Sequence, residues 1–194
     1  YSAAGVVIAA GEGVLDYRAG DRVACGGAGA AHAEIICVPV NLCAPLPSSV
    51  EFDEAAFATV GAIALQGIRQ GKTQLGDCVV VIGLGLLGSL TVQMLRASGC
   101  VVLGLDPSPG RCQLALELGA HAAVSTESEL NAALMAETRN KGADCVIITA
   151  GTSSSRPVEL AGEICREKGR VVVVGAVGLQ LPRGPYYDKE LEFC

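Results

Sequence analysis

The 194 residues are 51% hydrophobic and 18% charged, carry a net charge of −6 and include no Trp. That balance suits a globular chain with a sizeable core and excludes a disordered one, and the length fits one large domain or one domain plus part of another. Within residues 1–55 the acids Glu12, Asp16, Asp21, Glu34, Glu51, Asp53 and Glu54 face only Arg18 and Arg22, and Lys and Arg cluster nowhere; with no apolar run of about 20 residues and no signal peptide, neither nucleic acid nor a membrane is an expected partner.

Residues 1–50 read as all-β. A strand over 4–9 leads to a turn at Gly11-Glu12-Gly13, and Gly20-Asp21 turns into a strand at 22–25. A flexible Gly/Ala stretch at 26–29 precedes a third strand over 33–38, and Pro39, Pro45 and Pro47 punctuate the exit. Residues 51–71 have helical composition. Strands then alternate with helices: strands over 78–82, 101–105, 122–125, 145–149 and 170–174, and helices over 86–97, 109–118, 128–140 and 157–167. In the first of these helices Leu87, Leu90, Thr91, Met94 and Leu95 recur on one face. Continuous Val/Ile strands alternating with helices predict an α/β fold with a doubly wound parallel sheet. Right-handed crossovers place every strand C-terminus, and any ligand, along one edge.

The nine cysteines are scattered without a Cys-x-x-Cys, which predicts free, mostly buried thiols in a reducing cytoplasm. Tyr1 starts inside an apolar strand pattern and Cys194 ends a segment entering another element, so the chain reads as a piece of a longer protein.

The motif with chemistry is Gly83-Leu84-Gly85-Leu86-Leu87-Gly88, directly after Cys78-Val79-Val80-Val81-Ile82. A dinucleotide site needs a glycine for the tight turn, a second for close approach of backbone to pyrophosphate, and a third for close helix–strand packing. The pyrophosphate then meets the positive end of the helix. Asp106 ends the second strand of the series, 18 residues beyond Gly88 (106 minus 88), close to the spacing expected for the acid that binds the adenosine ribose. A carboxylate there repels a 2′-phosphate and favours NAD(H) over NADP(H); neighbouring Arg111 stacks on adenine or softens that preference. Ala150-Gly151 and Gly175-Ala176 follow later strands at the same edge, and their small size leaves room for ribose and nicotinamide.

Taken in order, Ala3-Ala4-Gly5-Val6-Val7, Gly11-Glu12-Gly13-Val14, Gly20-Asp21-Arg22-Val23, His32-Ala33-Glu34, Pro45-Leu46-Pro47, Glu54-Ala55-Ala56, the glycine loop and Leu118-Gly119-Ala120 resemble the medium-chain dehydrogenase/reductase superfamily of zinc alcohol dehydrogenases and quinone reductases. The resemblance implies that 1–50 are part of a GroES-like substrate domain and 51–194 a C-terminally truncated Rossmann domain. It implies a small-molecule substrate and a possible homodimer. Zinc members carry a His where Tyr1 stands, a Glu at Ser2, and a third ligand near Ala58; Cys25 is the only cysteine where a zinc-binding lobe is expected. No zinc is therefore expected. His32 reads as a structural or surface residue and His121 as a structural one. No catalytic residue is assigned; Tyr1 is a candidate proton donor. Tyr1–Val7 and Glu34–Val60 also resemble the dehydrogenase halves of bacterial bi-domain oxidoreductases, which implies additional domains. The reading is an NAD(H)-dependent, zinc-independent oxidoreductase, with a non-catalytic dinucleotide-binding module as the alternative and a Rossmann-type methyltransferase less well matched.

Overall fold

The computed structural model describes residues 1–194. The chain forms two compact units, Tyr1–Ala62 and Ile63–Cys194, a division 12 residues beyond the expected boundary at position 50 (62 minus 50).

The first unit holds a three-stranded antiparallel sheet, β1 (Ser2–Val6), β2 (Arg22–Gly26) and β3 (Cys43–Pro45), in that order across the sheet. The one-turn helix α1 (Phe52–Ala55) belongs to it for physical reasons. Arg22 on β2 donates to the carbonyls of Pro47, Ser48 and Val50 and lies 4.5 Å over the Phe52 ring, and Ser2 Oγ donates to the Ala56 carbonyl. The helix expected over 51–71 is in fact α1 and α2 (Ala58–Gly71). They separate where Phe57 N–H turns back to the Glu54 carbonyl, an i−3 bond instead of the helical i−4. The strand expected over 33–38 does not form. The segment pairs with neither β1, β2 nor β3, and Ile35 is 72% exposed. The short β3 replaces it; its Pro45 opposes Val23.

The second unit is a six-stranded parallel sheet in the order β6-β5-β4-β7-β8-β9, with β4 (Cys78–Ile82), β5 (Val101–Leu105), β6 (Ala122–Val124), β7 (Ala143–Ile148), β8 (Cys165–Val173) and β9 (Glu192–Phe193). Counted from β4, that order is 3-2-1-4-5-6, the dinucleotide-binding arrangement, whose direction reverses between β4 and β7. Helices cover both faces. α2, α3 (Leu86–Ala97) and α4 (Pro109–Glu117) bring Ile68, Val92, Leu95 and Ala115 onto Val79, Val81 and Ile147. On the opposite face, α5 (Glu127–Thr138) and α6 (Arg156–Ile164) bring Leu130, Leu134, Val158 and Leu160 onto Val80, Val146 and Ile148. Val79, Val80 and Val81 are fully buried in succession, which is why their run is apolar without alternation. Each buried Val, Leu or Ile contributes about 1.5–3 kcal/mol.

Two elements lie beyond the sequence reading. α7 (Arg183–Asp188) docks by Tyr186, whose hydroxyl donates to the Val158 carbonyl, and Lys189 just after it caps α6 by donating to the carbonyls of Gly162, Glu163 and Cys165. The chain then adds β9 beside β8. All nine cysteines are free; six are buried, Cys43 is half-buried, and Cys37 and Cys194 are exposed. No helix is long and apolar enough to cross a membrane.

Candidate dinucleotide site

At the C-terminal edge of β4 the chain turns through Gly83 at φ +95°. A Cβ there would stand 2.6 Å from Ala150 N and 2.7 Å from its Cα, so turn geometry and close packing both require glycine. Gly88, in the first turn of α3, leaves the space of its missing side chain to the Gly83 carbonyl; Thr149 Oγ1 donates to that same carbonyl. Gly85 differs. It is the N-cap of α3 without a side-chain cap, and nothing lies within 4 Å of where its Cβ would be. The first N–H groups of α3 therefore lack a side-chain acceptor, and the turn before them is open at Gly85.

Asp106 is 3% exposed. Its Oδ2 accepts from the Leu84 N–H at 2.8 Å, its Oδ1 from the Ser108 N–H at 2.9 Å, and Arg111 approaches Oδ2 at 3.4 Å. It thus ties the glycine loop to the end of β5, and Oδ1 keeps a lone pair for a ligand hydroxyl. Gly83, Gly85, Asp106, Arg111, Ala150 and Gly151 together line one cleft of about 390 Å³. Leu86 and Leu87 open α3, with Leu86 54% exposed. Gly175 and Ala176 do not line the cleft: Gly175 packs against the Ala150 carbonyl, and the Ala176 carbonyl accepts from Thr152 N–H at 2.8 Å, so their turn braces the one after β7.

Among the lining residues outside the sequence motifs are Thr149, Glu127 and Arg156. Arg156 holds Glu127 in a two-pronged pair (3.0 and 2.7 Å) and Glu163 in another (2.7 and 2.9 Å), with Glu159 at 3.5 Å. The Arg156 hydrogen bonds hold the Glu127 carboxyl below the usual carboxylate range against a smaller opposing effect of burial, and the carboxylates push the guanidinium up. Because the folded value of Glu127 is depressed, the pair's contribution is complete above about pH 4.5 and lost as pH falls through the folded value. Both side chains are about 40% exposed, which limits the contribution to about 1 kcal/mol. Arg156→Met is expected to lower the unfolding free energy at pH 7, read from urea titration, by that amount, and the gap from the parent should close as pH falls below about 4.5.

The other sequence candidates lie elsewhere. Tyr1 is 60% exposed and its carbonyl accepts from Gly27 N–H. His32 is exposed. His121 accepts the Val102 N–H on Nδ1 at 2.9 Å, a structural role. Ala58 opens α2 with no donor atom. No three His, Cys, Asp or Glu side chains converge on a common point.

The parallel sheet and its strand order define a Rossmann-type fold. Residues 87–192 match the zinc-binding dehydrogenase family, and the chain belongs to that family, within the medium-chain dehydrogenase/reductase superfamily. It is similar to D-guloside 3-dehydrogenase of Escherichia coli (30% identical over 161 residues, 81% of this chain and 46% of the relative). A further relative is the (R,R)-butanediol dehydrogenase of Bacillus subtilis (28% identical over 172 residues, 76% of this chain and 50% of the relative). Among solved structures, alcohol dehydrogenase TADH from Thermus sp. ATN1 superposes with a TM-score of 0.88 at 28% identity, over 98% of this chain and 66% of that one. The chain spans about half the length of the curated relatives it matches.

Proposed function

We propose that this chain is the nucleotide-binding part of an NAD(H)-dependent, zinc-independent oxidoreductase that moves hydride to or from a carbonyl/alcohol carbon or an activated alkene. The observation that carries the reading is the convergence of the open Gly85 turn, the uncapped α3 N-terminus and the buried Asp106 carboxylate on one cleft. The nicotinamide supplies the hydride chemistry when bound. The chain's own residues bind and orient: α3 N–H groups take the pyrophosphate, and Asp106 takes the adenosine ribose hydroxyls. Ala150 and Gly151 leave the far end of the cleft open for the second ribose, with the Gly175–Ala176 turn behind them. Zinc independence is supported by Tyr1 and Ala58 standing at two of the expected ligand positions. Polarisation of a substrate carbonyl then falls to hydrogen-bond donors, with Tyr1 the candidate on this chain.

Calorimetry with NADH and NADPH tests the cofactor. NADH is expected to bind at least about tenfold tighter, the effect of about 1.4 kcal/mol of repulsion between a 2′-phosphate and the Asp106 carboxylate. Equal affinities would sink the assignment. The same ligand titrations followed by turnover over aldehydes, ketones, quinones and enones separate the enzyme from a non-catalytic binding module, the reading that the absent zinc ligands favour: binding without any hydride transfer selects the module. If turnover is found, Tyr1→Phe in the intact protein should lower kcat by about 10²-fold; an unchanged kcat removes Tyr1 as the donor.

A further inference from the structure

β2 and β3 pair antiparallel with Val23 opposite Pro45, Ala24 opposite Ala44 and Cys25 opposite Cys43. One step further along, Leu46 N–H donates to the Arg22 carbonyl at 2.9 Å, which marks Arg22–Leu46 as a hydrogen-bonded pair. Antiparallel pairs alternate, so Ala24–Ala44 is hydrogen-bonded, and Val23–Pro45 and Cys25–Cys43 are not. Pro45, which has no N–H, sits where none is needed. Opposed residues of a non-hydrogen-bonded pair have Cα atoms about 4.5 Å apart with side chains on the same face, and a disulfide spans Cα separations of about 4.4–6.8 Å. Both side chains line a single cleft of about 300 Å³ in the first unit.

From this register we infer that Cys25 and Cys43 form an oxidative modification site, closing to a cross-strand disulfide by exchange with a small-molecule disulfide of the glutathione class. The half-buried Cys43 thiolate attacks one sulfur of the reagent, forming a mixed disulfide and releasing one thiol. The Cys25 thiolate then attacks the Cys43 sulfur and expels the second. Two protein thiols lose two electrons and two protons in all, and the reagent disulfide gains them as two thiols. The bridge closes residues 26–42, which hold a turn at 27–30 and a short helical turn at Val40–Leu42. In the reduced protein each thiol makes only a weak bond to a carbonyl, Cys25 to Ala3 and Cys43 to Pro39, both at 3.6 Å, so rotation toward the partner gives up little. Burial raises both thiols above their ordinary value, and the nearby Cys43 adds to the effect on Cys25. Closure therefore accelerates as pH rises toward the raised value of the attacking thiol.

The test is peptide mapping of the parent protein after incubation with oxidised glutathione at pH 8, blocked and digested without reductant. The expected product is a peptide pair joined through Cys25 and Cys43. It should persist in Cys37→Ser, disappear in Cys43→Ser, and raise the thermal midpoint by several degrees in a manner reversed by dithiothreitol. Glutathione adducts without that pair, or a bridge running through Cys37, the other thiol lining the cleft, would overturn the proposal. Mapping the parent needs no variant to fold.

Discussion

Gly85→Ala should leave stability within about 0.5 kcal/mol of the parent yet weaken NADH binding by about 100-fold, whereas Gly83→Ala should lose both. The two glycines are two residues apart, but their surroundings are opposite. The Gly85 Cβ meets nothing within 4 Å at a φ of −70°, so alanine costs the empty protein almost nothing. The methyl group instead occupies the space through which the proposed pyrophosphate reaches the backbone. At Gly83 the φ of +95° and the approach to Ala150 N at 2.6 Å act together. Strained backbone costs about 1–3 kcal/mol and overpacking about as much, so Gly83→Ala should lose roughly 2–5 kcal/mol. Urea unfolding and NADH calorimetry on both variants measure the split. A Gly85→Ala variant that binds NADH like the parent would show that no phosphate uses this turn.

What was legible in the sequence follows the same division between local and distant causes. The strands at Cys78–Ile82 and Val101–Leu105 and the helix at Leu86–Ala97 have the expected bounds, because burial on both sheet faces writes a continuous apolar run and a one-sided helix writes a stripe. Residues 33–38 carry the composition of a strand, but a strand exists only where its backbone pairs, and this segment joins neither β1, β2 nor β3. β3 was hidden for the converse reason: Pro45 argues against a strand until the register shows it at a position where no N–H is required. β9 pairs over two residues, too few to leave a pattern. In the site, the glycine loop and Asp106 were readable because they act at a fixed spacing. Thr149, Glu127 and Arg156 reach the same cleft from later crossovers, and only the strand order brings them there.

Asp106→Ala is expected to cost about 2–4 kcal/mol of stability and to erase the preference for NADH over NADPH. The carboxylate is 3% exposed and accepts two backbone N–H groups, from Leu84 and Ser108. Hydrogen bonds to a charged acceptor contribute about 1.5–3 kcal/mol each, and a donor left buried without a partner costs about 1–3 kcal/mol; partial entry of water into the vacated space keeps the total below the sum. Asp106→Asn distinguishes the two roles. Its carbonyl oxygen can keep one N–H, but its amide NH₂ then faces the other donor, so about half of the stability loss should return. The amide carries no charge to repel a 2′-phosphate, so the cofactor preference should fall nearly as far as in the alanine variant. Stability that tracks acceptor count while selectivity tracks charge is the signature of a carboxylate that both anchors the glycine loop and selects the ribose. If Asp106→Asn keeps the full NADH preference, the charge has no part in selection, and the buried carboxylate is the anchor of the loop alone.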